Sequence, residues 1–194
     1  MVSRASCVSE CRLCPRVVAG SGVPGVGLPG SAVMFIGEAP GRFGAARSGI
    51  PFLGDESGRR FERLLAEAGL TRKQVFVTNA VRCLPLDDRG RNRRPLLSEV
   101  AACGTWLDSE IRAARPRVVA ALGTTALDAL ERIERHSLRL RDAVGTAVPW
   151  RGSVVVPLYH PGARSTVHRP WDMQVRDWRE LGRLLREELA LIRG

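Results

Sequence analysis

Ala32-Val33-Met34-Phe35-Ile36-Gly37 is a run of five apolar residues ended by a glycine. It has no polar alternation, so it reads as a strand buried on both faces, and it is too short for a buried helix. Working outward, the same signature returns at Val75-Phe76-Val77, at Val118-Val119-Ala120-Ala121-Leu122 and at Val154-Val155-Val156. Helical periodicity fills the intervals. Phe61, Leu64, Leu65 and Ala68 recur at helical spacing, with Asp55 or Ser57 near the start and Gly69 at the end. Val100, Cys103, Leu107, Ile111 and Ala114 mark one face of a second helix, closed by Arg115-Pro116. A third is expected from a Thr124 cap to about Ile133. A last one opens at Pro170, with Trp171, Val175, Trp178, Leu181, Leu185 and Leu189 inward. Continuous apolar strands alternating with amphipathic helices predict an α/β fold, a three-layer α/β/α sandwich around a central four-stranded, mainly parallel sheet.

The 194 residues, 44% of them hydrophobic, suffice for one core, so a single domain over 1–194 is expected, with 1–30 an irregular glycine-punctuated arm. Lys and Arg number 30 against 20 Asp and Glu, a formal charge of +10. Lys73 is the only lysine. Arginine's rigid fork suits phosphate oxygens and points to a polyanionic partner, although an arginine-rich proteome would also favour Arg over Lys. No apolar stretch has the length of a signal or of a bilayer span, which predicts a cytoplasmic protein without membrane contact. In that compartment five cysteines argue for metal ligation or buried thiols rather than disulfides. Cys11 and Cys14 form a C-x2-C pair, and with Cys83 and Cys103 they offer four soft ligands for a cubane cluster or a zinc ion. Cys7 stays outside that set.

In parallel sheets, ligands sit beyond the carboxyl ends of the strands. That rule selects the loops 37–54, 78–95, 123–125 and 159–170. The first reads Gly37-Glu38-Ala39-Pro40-Gly41, then Gly49-Ile50-Pro51-Phe52-Leu53-Gly54; the second opens Thr78-Asn79-Ala80-Val81-Arg82-Cys83; the fourth reads Tyr159-His160-Pro161-Gly162. In this order the fragments resemble the family-4 uracil-DNA glycosylases, a resemblance spanning roughly Cys11 to Leu185. It implies removal of uracil from DNA by a monofunctional glycosylase, with water as nucleophile and an abasic site as product. It also implies a structural [4Fe–4S] cluster on Cys11, Cys14, Cys83 and Cys103, with zinc the weaker choice, uracil-containing DNA as partner, and action as a monomer.

The chemistry fits those residue types. A base extruded into a pocket is read on its Watson–Crick edge. The amide of Asn79 can donate to uracil O4 and accept from N3–H, a pattern that cytosine reverses. Phe52 offers a flat face for stacking. His160 can donate to the charge developing on O2, even as a neutral imidazole. Glu38 can hold the attacking water or favour the cationic sugar. Gly37, Ala39, Pro40 and Gly41 complete the expected pocket. Plainer readings exist for each: a turn former for Asn79, a core aromatic for Phe52, a loop-capping His160, and an arginine ion pair for Glu38. Arg89, Arg91, Arg93 and Arg94 form a basic loop suited to phosphates, with Arg164, His168 and Arg169 further candidates. The loop after His160 is a wedge in the superfamily, and Arg164 is its candidate here.

Two departures stand out. Many family members carry an acid shortly after the Gly-Glu-Ala-Pro-Gly turn, whereas Arg42 to Ser48 contain none. Gly41 occupies the place of a bulky tyrosine that excludes C5 substituents in the best-known uracil-DNA glycosylases. A related branch traps DNA through a histidine in the second loop; residues 88–95 lack one, so no covalent trap is expected. The missing acid supports a second reading, an iron–sulfur DNA-binding protein that keeps the scaffold without catalysis. A nucleotide-binding module is a third, weakened by the lack of a G-x-G-x-x-G or P-loop motif.

Overall fold

The computed structural model describes residues 8–190, apart from the Leu189 side chain; Cys7 and that side chain lie outside the description. The strands are β1 (Val33–Gly37), β2 (Phe76–Asn79), β3 (Val118–Leu122), β4 (Val148–Trp150) and β5 (Ser153–Leu158). The helices that matter are α1 (Ala45–Ser48), α2 (Glu56–Glu67), α3 (Leu97–Ala114), α4 (Thr124–Ile133), α5 (Leu140–Ala143) and α6 (Trp171–Ala190). The sheet order is β2-β1-β3-β5-β4. Four strands are parallel, and β4 runs antiparallel to β5.

The fifth strand corrects the four-stranded expectation. Val148-Pro149-Trp150 is short and contains a proline, which removes a ladder donor and is tolerated at a sheet edge, where β4 lies. Arg151 and Gly152, with φ of 49° and 74°, make the two-residue turn that joins it to β5. Helix starts also differ in one detail. Gly123, with φ of 97°, stands at the cap of α4, and Thr124 is already helical.

Every residue of β1 and β3 is buried, as the unbroken apolar runs require. Helices α3 and α4 cover one face through Val100, Leu107, Ile111, Leu127 and Leu130. Helices α2 and α6 cover the other through Phe61, Leu64, Leu65, Trp178 and Leu181. An aromatic series threads this second layer: Phe52 stacks on Phe61 at 4.7 Å, Phe61 meets Phe35 edge-on at 5.4 Å, and Phe35 stacks on Trp178 at 5.0 Å.

The glycine-rich arm runs along the open side of β2. Val26 and Val77 exchange backbone hydrogen bonds of 2.9 and 2.8 Å, Val23 donates to the Arg82 carbonyl and Val18 to the Leu84 carbonyl. Gly27 permits this approach: a Cβ there would lie 2.5 Å from the Phe76 Cα. Beneath the arm, Glu110 accepts from the buried Arg82 at 2.6 Å, from Thr78 Oγ1 at 2.7 Å and from the Gly25 amide at 3.1 Å. The chain after β1 crosses to β2 on one side, and later to β3 on the other. The sheet therefore has a topological switch at the carboxyl ends of β1 and β3, where ligands bind in open α/β sheets.

Candidate active site and cysteine cavity

A cavity of about 140 Å³ opens at that switch, and Asn79, Phe52 and His160 all line it. Asn79 is the last residue of β2, in register with Gly37 on β1. A Cβ at Gly37 would lie 2.5 Å from Asn79 Oδ1 and 2.7 Å from Phe52 Cε2, so only glycine lets the amide and the ring close together. The Phe52 and His160 rings lie 5.4 Å apart, tilted by 37°. Phe52 is also a core residue, 8% exposed, so its plainer reading and its pocket reading are both true of the geometry.

The Phe52 backbone is held against its own preference. Its φ of 53° is left-handed, a conformation costing about 1–3 kcal/mol for a residue with a side chain. Arg72 restrains it by donating to the Pro51 carbonyl at 2.9 Å and the Phe52 carbonyl at 2.8 Å, with its Nε on Glu62 at 2.6 Å. Gly58 in α2 lets the helix approach, since a Cβ there would lie 2.6 Å from the Phe52 oxygen.

His160 has a defined tautomer. The Gly162 amide donates to its Nδ1 at 2.9 Å, so the neutral ring carries its proton on Nε2. Enclosure by the surrounding loops lowers the imidazole to about 4, opposed by the nearby Asp55 carboxylate. At neutral pH the ring is an uncharged donor.

Two carboxylates line the same cavity. Glu38 accepts from Thr125 Oγ1 at 2.7 Å, and that hydroxyl accepts from Arg94 Nε at 3.2 Å. Its partner is thus a threonine, and among the described residues no arginine pairs with it directly. The second carboxylate, Asp55, was legible in the sequence only as a helix cap. Its Oδ1 does accept from the Gly58 amide at 2.9 Å. Its Oδ2 lies beside the first turn, 3.1 Å from where a Gly41 Cβ would stand. Although no acid lies between Arg42 and Ser48, the cavity beside the first turn thus holds a carboxylate from the start of α2. Asn92 is a second residue sequence reasoning missed; it lines the cavity and accepts from the Arg42 amide at 3.1 Å. Ala39, Pro40 and Gly41 line the cavity as expected.

The basic residues divide. Arg93 is committed to Glu99, with bonds of 2.6 and 2.8 Å, and to the Arg16 carbonyl. Arg94 reaches Thr124, Thr125 and Asp128, and Arg91 pairs with Asp87 at 2.9 Å. Arg169 pairs with Asp177 at 2.5 Å, tying the last loop to α6 rather than presenting its charge. Arg164 and His168 are exposed, and the side chain of Arg89 has no partner among the described residues. Phosphate contact remains geometrically open to those three, and is closed to Arg93 and Arg169 as they stand.

Cys11, Cys14, Cys83 and Cys103 line one small enclosed cavity with Val8, Val17 and Trp106. All four are free thiols. Burial, and then mutual repulsion, push Cys14 and Cys83 up to about 11; burial raises Cys103 too. Among the described residues, no three potential ligands stand close enough for a single metal ion.

A family model described as the uracil DNA glycosylase superfamily matches residues 24–182. The chain belongs to that superfamily, and its family-4 resemblance is borne out by relatives of the same type. The type-4 uracil-DNA glycosylase of Thermotoga maritima is 33% identical, over 79% of this chain and 77% of the relative. That of Archaeoglobus fulgidus is 34% identical over 84% and 81%. The type-5 uracil-DNA glycosylase of Thermus thermophilus is 35% identical over 81% and 80%. The α/β class matches the fold expected. Together these matches disfavour the reading of a scaffold without catalysis.

Proposed function

We propose that this protein hydrolyses the N-glycosidic bond of uracil in DNA and leaves an abasic site. The observation that carries the reading is the convergence of Asn79, Phe52 and His160 on one cavity of nucleobase scale. The extruded base stacks on Phe52, and Asn79 pairs with its O4 and N3–H. As the C1′–N1 bond breaks, electrons pass to the base, and His160 Nε2–H donates to the O2 on which charge collects. Water adds to C1′ and loses its proton to a carboxylate. Glu38 and Asp55 both line the cavity; Glu38, oriented by Thr125, holds the water, and Asp55 favours the cationic sugar. The loop after His160 fills the vacated stack. Val167, 82% exposed on the 3-10 turn Ala163–Val167, suits that task better than Arg164, because its apolar side chain gains by leaving water.

Cys11, Cys14, Cys83 and Cys103 would hold a [4Fe–4S] cluster. What supports this is that the four thiols line one small enclosed cavity and that four soft thiolates suit an iron–sulfur cubane. When bound, the cluster ties the arm to the segment after Asn79 and to α3. No redox step enters the hydrolysis.

The test uses oligonucleotides carrying U opposite G, U opposite A, or single-stranded U. Alkali-labile product is expected, and Asn79→Ala and His160→Ala should each lower kcat on the order of 10²–10³-fold. Intact DNA after incubation with the unaltered, iron-loaded protein would refute excision. Iron and sulfide analysis with visible absorbance tests the cofactor; a colourless protein containing zinc would overturn it.

A further inference from the structure

A groove of about 920 Å³ adjoins the base cavity and shares Glu38, Ser57 and His160 with it. One wall is the 3-10 turn after His160, bearing Arg164 and His168. The other is the segment around α5, bearing Arg139 and Arg141. These four cationic or protonatable groups lie outside the basic loop 89–94, and they differ from it in availability. Three of that loop's four arginines are paired with Asp87, Glu99 and Asp128. In the groove, Arg139, Arg164 and His168 have no side-chain partner among the described residues. Arg141 has only a 3.5 Å contact with Asp142, at 89% and 62% exposure. Of the acids there, Glu56 is already paired with Arg59 and Arg60, and Glu38 lies at the deep end, where the base enters.

We propose that this groove is the track for the DNA strand carrying the target nucleotide, with Arg139 and Arg141 binding phosphates on one side of the extruded base and Arg164 and His168 on the other. The inference rests on the excision reading for its polarity: a nucleotide whose base occupies the adjoining cavity must lead its backbone through whatever opening is continuous with it. Free guanidinium groups on both walls of that opening provide phosphate contacts without reading sequence. Arg139 and Arg141 flank Leu140, whose buried side chain anchors α5 to the core, so their positions are fixed while the Arg139 head is free and the Arg141 head is held only by the exposed 3.5 Å contact with Asp142.

The test compares four proteins: the unaltered chain, an Arg139→Gln/Arg141→Gln variant, its Arg139→Lys/Arg141→Lys counterpart, and an Arg132→Gln/Arg135→Gln control of equal charge on the far groove between α3 and α4. Binding of a fluorescent uracil-containing duplex is measured by anisotropy across a salt series, alongside the kinetics of excision. Each lost phosphate contact should lower the slope of log K against log salt by about 1, so the groove variant should lose about 2 and the control nothing. KM should rise severalfold with kcat retained, and Arg139→Lys/Arg141→Lys should restore both slope and KM. An unchanged slope, or equal losses in the control, overturns the proposal. The two readings fail separately: an unaltered protein that binds with a steep slope and cuts nothing refutes excision, whereas normal excision with an insensitive slope refutes the track.

Discussion

Because Gly162 occupies Nδ1 of His160, the imidazole can present only Nε2–H to the cavity. Its acidity has a measurable consequence. The C2–H proton resonance of His160 should titrate near 4 instead of the usual 6.5, and Asp55→Asn should move the midpoint lower still, because that carboxylate opposes the shift. A folded-state value below the unfolded one means that the unfolded chain takes up the proton first. The contribution of His160 to stability is therefore complete above about 6.5 and declines as pH falls toward about 4. A midpoint of 6.5 in the folded protein would contradict this enclosure. Asn79 and His160 were legible in the sequence because they lie at or just past the end of strands whose apolar runs announce them, and Phe52 because it sits in the loop that follows β1. Asp55 was not. Its cap signature explained it fully, and nothing local reveals that the second carboxylate oxygen faces Gly41. Arg93 and Arg169 were read as phosphate contacts for the converse reason: Glu99 and Asp177 become their partners only once helices α3 and α6 exist.

At the scale of elements, two restraints fix the cavity wall. The segment bearing Phe52 stays in its left-handed turn through Arg72. An Arg72→Ala variant should lose about 1–3 kcal/mol in denaturant unfolding, and its KM should rise more than its kcat falls, because the ring loses its bearing. The second restraint is the Arg82–Glu110 pair behind Asn79. Arg82 is 1% exposed, so Glu110→Ala strands a buried charge and should cost about 3–5 kcal/mol by the same measurement. A loss below about 1 kcal/mol would mean that water already reaches the guanidinium. Four of the five strands were legible because continuous apolar runs have one good interpretation at that length. Strand β4 was not, since three residues with a central proline carry no periodic signal, and its partner is supplied by the turn Arg151-Gly152 rather than by its own composition.

At the scale of the molecule, the formal charge of +10 is unevenly available. Much of the arginine is engaged in ion pairs, including Arg59, Arg72, Arg93, Arg169 and Arg183. The salt dependence of DNA binding should thus reflect a handful of contacts, with a slope well below 10 in magnitude. A slope near 10 would show that paired arginines open on binding. The arm along β2 bears on a different property. A strand whose hydrogen-bonding flank is laid bare becomes a template on which another chain can zip, and among the described residues Val26 is what pairs with the outer flank of β2. Replacing Gly27 with valine would prise this cover away. The expected result is concentration-dependent turbidity and thioflavin staining at temperatures the unaltered protein survives, an outcome that would make the ribbon of glycines that looks like slack a guard against forming fibres.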